Sequence, residues 1–286
     1  MRRRCLICKK TDYPICKSCS ANAFLVENCR RILASIGDLG TLKKTYSSDS
    51  SEIKNLNTSS FWDKNLSEAT DLKHQDGMTQ DRVGLAFRFL PKSARRVLDI
   101  GAGHGYVEEL LSSNKNIEIF GNDISSVAVG NLKKKFEGYF SRESVYNMKY
   151  PRNSFDAIFA LEVLEHIPPN KIFDVLKKIK NILRKNGSFI ISIPANEGLE
   201  RMKNNPSGHL RMYTENLIKS ELEIAGYKVV KMKMLYAFKN LYLIKKVLAY
   251  FTKNRWKPND IVILAKSKVF LTMIYLVCYH CFLLQK

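Results

Sequence analysis

The 286-residue chain is 45% hydrophobic and 26% charged, a balance that fits a packed globular protein and excludes an intrinsically disordered one. Domains commonly take about 100–200 residues, so one large domain with small appendages is expected. The formal charge of +20 draws anions such as nucleic acid, anionic lipid or phosphorylated molecules and excludes nothing about the fold.

In chain order, residues 1–30 come first and carry two Cys-x2-Cys pairs, Cys5/Cys8 and Cys16/Cys19. Two such pairs supply four thiolates to a tetrahedral Zn²⁺ site, so a small four-cysteine module with a structural zinc is expected. The Arg-rich start runs into polar residues and cysteines, not into an apolar leader, which points to a reducing cytoplasm. Residues 31–78 include the polar run Tyr46-Ser47-Ser48-Asp49-Ser50-Ser51 and read as a linker and variable extension.

From residue 79 the pattern becomes regular. Val83, Leu85, Ala86, Phe89 and Leu90 form a helical apolar stripe ended by Pro91. Residues 96–100 read as a buried strand, 101–105 as a glycine loop, and a helix follows from Tyr106. A second strand over 117–122 ends at Asp123, and 125–139 reads as a helix with three lysines outward. Residues 155–160 form a strand. Ile172, Phe173, Val175, Leu176, Ile179, Ile182 and Leu183 make 171–185 an amphipathic helix closed by Asn186-Gly187. A strand over 189–194, a helix from the Thr214 cap to Gly226, and strands over 227–236 and 261–265 complete the order. Strands that alternate with helices predict a mainly parallel sheet covered on both faces.

The chemical signal is Val97-Leu98-Asp99-Ile100-Gly101-Ala102-Gly103-His104-Gly105. A strand followed by closely spaced glycines lets bare backbone approach a ligand, and the next helix presents free N–H groups. Such a loop holds a dinucleotide pyrophosphate or the amino-acid tail of another adenosyl cofactor. The spacing is G-x-G-x-G, not the dinucleotide G-x-G-x-x-G. Asp123, closing the second strand, is placed to accept hydrogen bonds from ribose hydroxyls.

These stretches, with FGNDIS, NSFDAIFALEVLEHI, ILRKNGSFIISIP and the weaker GHLRMYT in order, make residues 79–268 resemble the class I S-adenosylmethionine-dependent methyltransferases, particularly the quinone-biosynthesis subgroup. The resemblance implies an α/β Rossmann-like fold with a seven-stranded, mostly parallel sheet and one antiparallel strand. It implies S-adenosyl-L-methionine as cofactor. Asp99, Gly101, Ala102, Gly103 and Gly105 would surround its methionine part, Asp123 its ribose and Ile124 its adenine. Leu161 and Glu162 would end the fourth strand beside the sulfonium. The family's acidic adenine contact aligns with Ser144 and Val145 here, neither of which is acidic. Residues after the fourth strand lack the Asn/Asp-Pro-Pro-Tyr sequence of many nitrogen methyltransferases and the Pro-Cys pair of enzymes that methylate pyrimidine carbon.

His166 and His209 are candidate general bases, because histidine titrates near neutral pH, and Tyr213 is a candidate for orienting the acceptor. The acceptor reads as a small or lipid-like molecule. RNA is the alternative, given the basic charge and the stretch 227–258, which lacks Asp and Glu up to Pro258. A protein that binds the cofactor without turnover is the third reading. Residues 269–286 form an apolar tail, short of the roughly 20 residues that span a bilayer. It reads as docked on the domain, as a membrane-surface anchor or as an incidental extension.

Overall fold

The apolar runs at 97–100, 157–160, 189–193 and 261–265 are buried throughout, as strands covered on both faces must be. The computed structural model describes residues 55–68, 70–168, 171–195, 208–211, 213–235 and 259–267, with positions 244, 247, 248 and 251. The expected cysteine module and apolar tail lie outside the described residues. Among those described, no helix is long and apolar enough to cross a membrane.

The elements are α1 (Ser59–Asn65), α2 (Gly77–Phe87), β1 (Arg96–Ile100), α3 (Tyr106–Leu111), β2 (Glu118–Asp123), α4 (Ser126–Lys135) and β3 (Tyr139–Arg142). They continue with β4 (Phe155–Leu161), α5 (Ile172–Ile182), β5 (Leu183–Pro194), α6 (Glu215–Ile224), β6 (Tyr227–Leu235) and β7 (Asp260–Ser267). The seven strands run in the order β3-β2-β1-β4-β5-β7-β6. Neighbours are parallel except at β7, which is antiparallel to β5 and β6. This is the Rossmann-like methyltransferase fold that the sequence implies.

Two cores sandwich the sheet. On one side Val175, Leu176 and Ile179 of α5 and Leu217, Ile218 and Leu222 of α6 pack on Leu98, Ile158, Ile191 and Ile263. On the other, Ala86 of α2, Val107 and Leu111 of α3 and Val129 and Leu132 of α4 cover Val97, Phe159, Ile190 and Val262. Each fully buried large aliphatic side chain contributes about 1.5–3 kcal/mol. The chain builds outward from β1 to β3 and then returns to β4 on the other side of β1. That reversal opens a crevice at the carboxyl ends of β1 and β4, the usual ligand position in such sheets.

Three local expectations change. Helix α4 stops at Lys135, four residues short of the end read from sequence, and β3 begins at Tyr139, the last residue of that stretch. Four residues at a sheet edge are too few to show alternation, and the lysine run extends the helical reading beyond Lys135. Helix α5 ends at Ile182, and β5 begins at once, because Leu183 pairs with Phe155 before the register shifts. Asn186, not Gly187, takes the left-handed conformation, at φ 64°. Residues 55–78, grouped with the linker, carry α1 and the start of α2, where the Asp76 side chain caps Met78 and Thr79 N–H.

Candidate active site

The bend after β1 is built from backbone. Gly101 and Ala102 N–H both donate to Asn122 O, at 2.8 and 3.2 Å, and Gly105 N–H donates to Ala102 O at 2.8 Å. Gly101 and Gly105 have φ of +69° and +80°. A Cβ on Gly101 would stand 2.8 Å from Val163 Cγ2, and one on Gly105 2.7 Å from both Leu132 and Phe136. Both conformation and space therefore demand glycine. Gly105 also starts α3, so the loop ends on free helical N–H groups.

Asp123 tethers this loop. Its Oδ2 accepts from Gly103 N–H at 3.0 Å and its Oδ1 from Ser125 N–H at 2.8 Å. A carboxylate offers about four acceptor positions, so capacity remains for a ligand's hydroxyls. Burial holds the Asp123 carboxyl above its ordinary range, against the opposing pull of the Ser125 and Gly103 N–H groups. Asp99 lies beneath the loop, buried, and burial and then the Asp123 charge push it up to about 8. Glu108 of α3 is fully buried beside them. Burial first, then Asp99, raises its carboxyl well above the usual value. Neither Glu108 carboxyl oxygen has a hydrogen-bond partner among the described residues, nor does Asp99 Oδ1. A cation bound above the loop would relieve this uncompensated acidity.

A cavity of about 450 Å³ opens here, lined at the strand ends by Gly101, Gly103, Asp123, Ile124, Ser144, Val145 and Glu162. These are seven of the cofactor residues expected from sequence. The others, Asp99, Ala102, Gly105 and Leu161, do not line it; they shape it from behind. Glu143, one residue before the aligned Ser144, also lines the cavity and carries a carboxyl group that neither Ser144 nor Val145 has. Glu162 has φ 55°, rare outside glycine. Its N–H donates to Ser192 O, its Oε1 accepts from Ser192 Oγ at 2.7 Å, and Arg82 lies 3.3 Å from its Oε2.

The N-terminal segment roofs the cavity with Asn57, Trp62 and Leu66. Asp63 fixes it in place: Oδ1 accepts from Ser125 Oγ at 2.7 Å and Val127 N–H at 3.2 Å, at the start of α4. Those bonds, that of Ser125 Oγ first, hold the Asp63 carboxyl below its ordinary range. Arg142 Nη2 donates to Ser59 Oγ at 3.0 Å. Sequence reasoning missed this roof, since its anchors are polar and distant in the chain. Trp62 in a polar stretch was the visible signal.

At the far end of the cavity, His166 packs edge-on against Trp62 at 4.9 Å and against His209 at 5.0 Å. Burial and then the His209 charge hold the His166 ring down at about 4, against the bond to Gly208, so it is neutral near pH 7. His166 lines the cavity; His209 stands behind it. Tyr213 does not face the cavity. It is fully buried, donates to Glu221 Oε2 at 3.0 Å and accepts from Arg211, and Arg211 also pairs with Glu221. Its hydroxyl is occupied by this internal network, so the expected role in orienting the acceptor has no geometric basis. Asp156 accepts from Arg95 and Arg96 N–H at 2.9 and 3.0 Å and pairs with Arg184, so it serves the fold and not the cavity.

The fold, the glycine bend and the carboxylate that ends β2 agree with an S-adenosylmethionine-dependent methyltransferase. Residues 73–232 match the family model of a methyltransferase domain, and the chain belongs to that family. An uncharacterized protein of Methanocaldococcus jannaschii is 25% identical over 181 residues, 60% of this chain and 73% of its own length. The 27-O-demethylrifamycin SV methyltransferase of Amycolatopsis mediterranei is 26% identical over 152 residues, 49% of this chain and 53% of its own. The chain thus spans about half the length of that enzyme. A SAM-dependent methyltransferase structure from Archaeoglobus fulgidus superposes with a TM-score of 0.53 at 23% identity, covering 66% of this chain and 92% of that one. That likeness is one of fold.

Proposed function

We propose that this chain methylates an oxygen, carbon or nitrogen atom of a small-molecule or lipid-like acceptor. The observation that carries this reading is the mostly apolar wall of Trp62, Leu66, Val163 and Ile167 that the cavity has beside the expected cofactor residues. The whole space of about 450 Å³ falls within the about 300–1,000 Å³ typical of small-ligand sites, and the cofactor would take up most of it, which leaves room for the reacting part of a small acceptor. The similarity to a rifamycin methyltransferase supports an acceptor of this class.

When bound, S-adenosylmethionine supplies a methyl group already activated on a positively charged sulfur. The chain's residues are then needed mostly for alignment, which supplies about 7–11 kcal/mol in well-oriented reactions. The loop 101–105 would receive the amino-acid tail above the acidic pair Asp99 and Glu108. Asp123 would accept from the ribose hydroxyls. Glu143, Ser144 and Val145 would border the adenine. Trp62 and Leu66 exclude water, and Glu162 and His166 border the acceptor.

An RNA acceptor is the second reading, favoured by the +20 charge. Incubation with methyl-labelled cofactor and separate metabolite, lipid and RNA fractions tests both. Label in the metabolite or lipid fraction is expected. Label in RNA alone would replace the first reading with the second. Failure to consume the cofactor with any fraction would leave only a binding function.

A further inference from the structure

Two hydrogen bonds sew residues 208–211 to the turn after β4. Leu210 N–H donates to Glu165 O at 2.9 Å, and the His166 ring donates through Nδ1 to Gly208 O at 3.2 Å. Asn57 Nδ2 reaches the same Gly208 carbonyl at 2.8 Å. His209, far away in sequence, is thereby held against His166. One ligand atom from each of Glu165, His166 and His209 lies within 4.8 Å of the other two. His166 Nε2 stands 3.8 Å from Glu165 Oε1. Atoms bound at about 2.0–2.2 Å to one ion lie about 3–4 Å apart, so small side-chain rotations close the set.

The donor chemistry is that of a metal site. A carbonyl oxygen only accepts, so Nδ1 of His166 carries the proton and Nε2 presents its lone pair. Metal-binding histidines are characteristically oriented in this way, through the other ring nitrogen. Two imidazoles with one carboxylate suit zinc, iron or cobalt better than magnesium or calcium. Three protein ligands leave coordination positions open, as catalytic sites do. Because His166 also lines the cavity, open positions would adjoin the acceptor.

We propose that Glu165, His166 and His209 bind a divalent transition-metal ion that holds an oxygen of the acceptor. The acceptor half of this proposal rests on the methyltransferase reading; the metal half does not. A divalent ion lowers the pKa of a bound hydroxyl, so the proton leaves to water and neither histidine serves as base. The acceptor class narrows to molecules with a hydroxyl at the methylated position.

Cobalt(II) absorption of the full chain tests the site. Thiolate ligands give intense sulfur-to-cobalt charge-transfer bands, whereas nitrogen and oxygen ligands give weak visible bands, so Cys5, Cys8, Cys16 and Cys19 are read separately. The weak bands are expected to persist when those cysteines are changed to serine. In His209→Ala they should require at least about 10–100-fold more cobalt, because loss of even an outer-shell partner costs that much. His166→Gln supplies a second variant, and calorimetric binding of S-adenosylhomocysteine by His209→Ala shows that the fold survives. Unchanged cobalt affinity in both variants overturns the proposal, as does a native chain that binds S-adenosylhomocysteine but shows only thiolate bands or none. A native chain that binds cobalt through these residues but no S-adenosylhomocysteine keeps the metal site and ends the cofactor reading.

Discussion

Asp123→Ala removes the side chain that ties the glycine loop to the end of β2. The carboxylate accepts from Gly103 and Ser125 N–H at 3.0 and 2.8 Å. Hydrogen bonds to charged groups contribute about 1.5–3 kcal/mol each, so the gross loss is about 3–6 kcal/mol. The substitution also removes a carboxylate that burial disfavours, which offsets part of that loss. A net destabilisation of about 2–4 kcal/mol is expected, measured by urea denaturation without ligand. Affinity for S-adenosylhomocysteine should fall by a further about 1–3 kcal/mol, or about 5- to 150-fold, as ribose hydrogen bonds are lost. Asp156→Ala is the control. It too removes a carboxylate that accepts from two backbone N–H groups, but outside the cavity lining, so stability should fall and affinity should hold. If calorimetry finds the same affinity for the two variants, the ribose site has been misplaced.

Three further outcomes are expected. Gly105→Ala forces a side chain into a left-handed backbone and to within 2.7 Å of Leu132 and Phe136, so denaturation should show a loss of about 2–4 kcal/mol; undiminished stability would contradict the loop geometry. Asp99 is raised from 3.8 to about 8 on folding, so over that window the native state binds more protons than the unfolded chain. The contribution of Asp99 to stability should therefore be greatest below the lower value and fall as pH rises towards the upper one, by up to about 1.4 kcal/mol per pH unit. Asp99→Asn should flatten that slope in denaturation curves taken across the range, and an unaltered slope would refute the assignment. Asp63→Ala releases the roof from the start of α4 and should weaken S-adenosylhomocysteine binding severalfold and hasten proteolysis near α1; unchanged affinity would mean that the roof does not shield the ligand.

The parts of this site that the sequence showed are those whose cause is local. The Val97–Ile100 run, the glycine spacing and the carboxylate ending β2 each follow from nearest-neighbour physics, and the structure joins them through the Asp123–Gly103 bond. Helix α5 was legible because its stripe is strong, although its end was not, since the pairing of Leu183 with Phe155 is a tertiary choice. What escaped is long-range and polar. Asp63 meets Ser125 across the fold, and Glu108 looks like a surface acid until α3 turns it inward. The approach of His209 to His166 depends on the Gly208 carbonyl. Tyr213 erred in the other direction: its motif suggested a ligand contact, and a buried arginine and glutamate claim its hydroxyl instead.

A crystal structure with S-adenosylhomocysteine would decide most directly whether the bend at 101–105 and the carboxylate at 123 hold an adenosyl cofactor. Density for the ribose hydroxyls on Asp123, with the amino-acid tail over Gly101 and Gly103, is the predicted result. Ligand bound elsewhere while this cavity holds only solvent would contradict it.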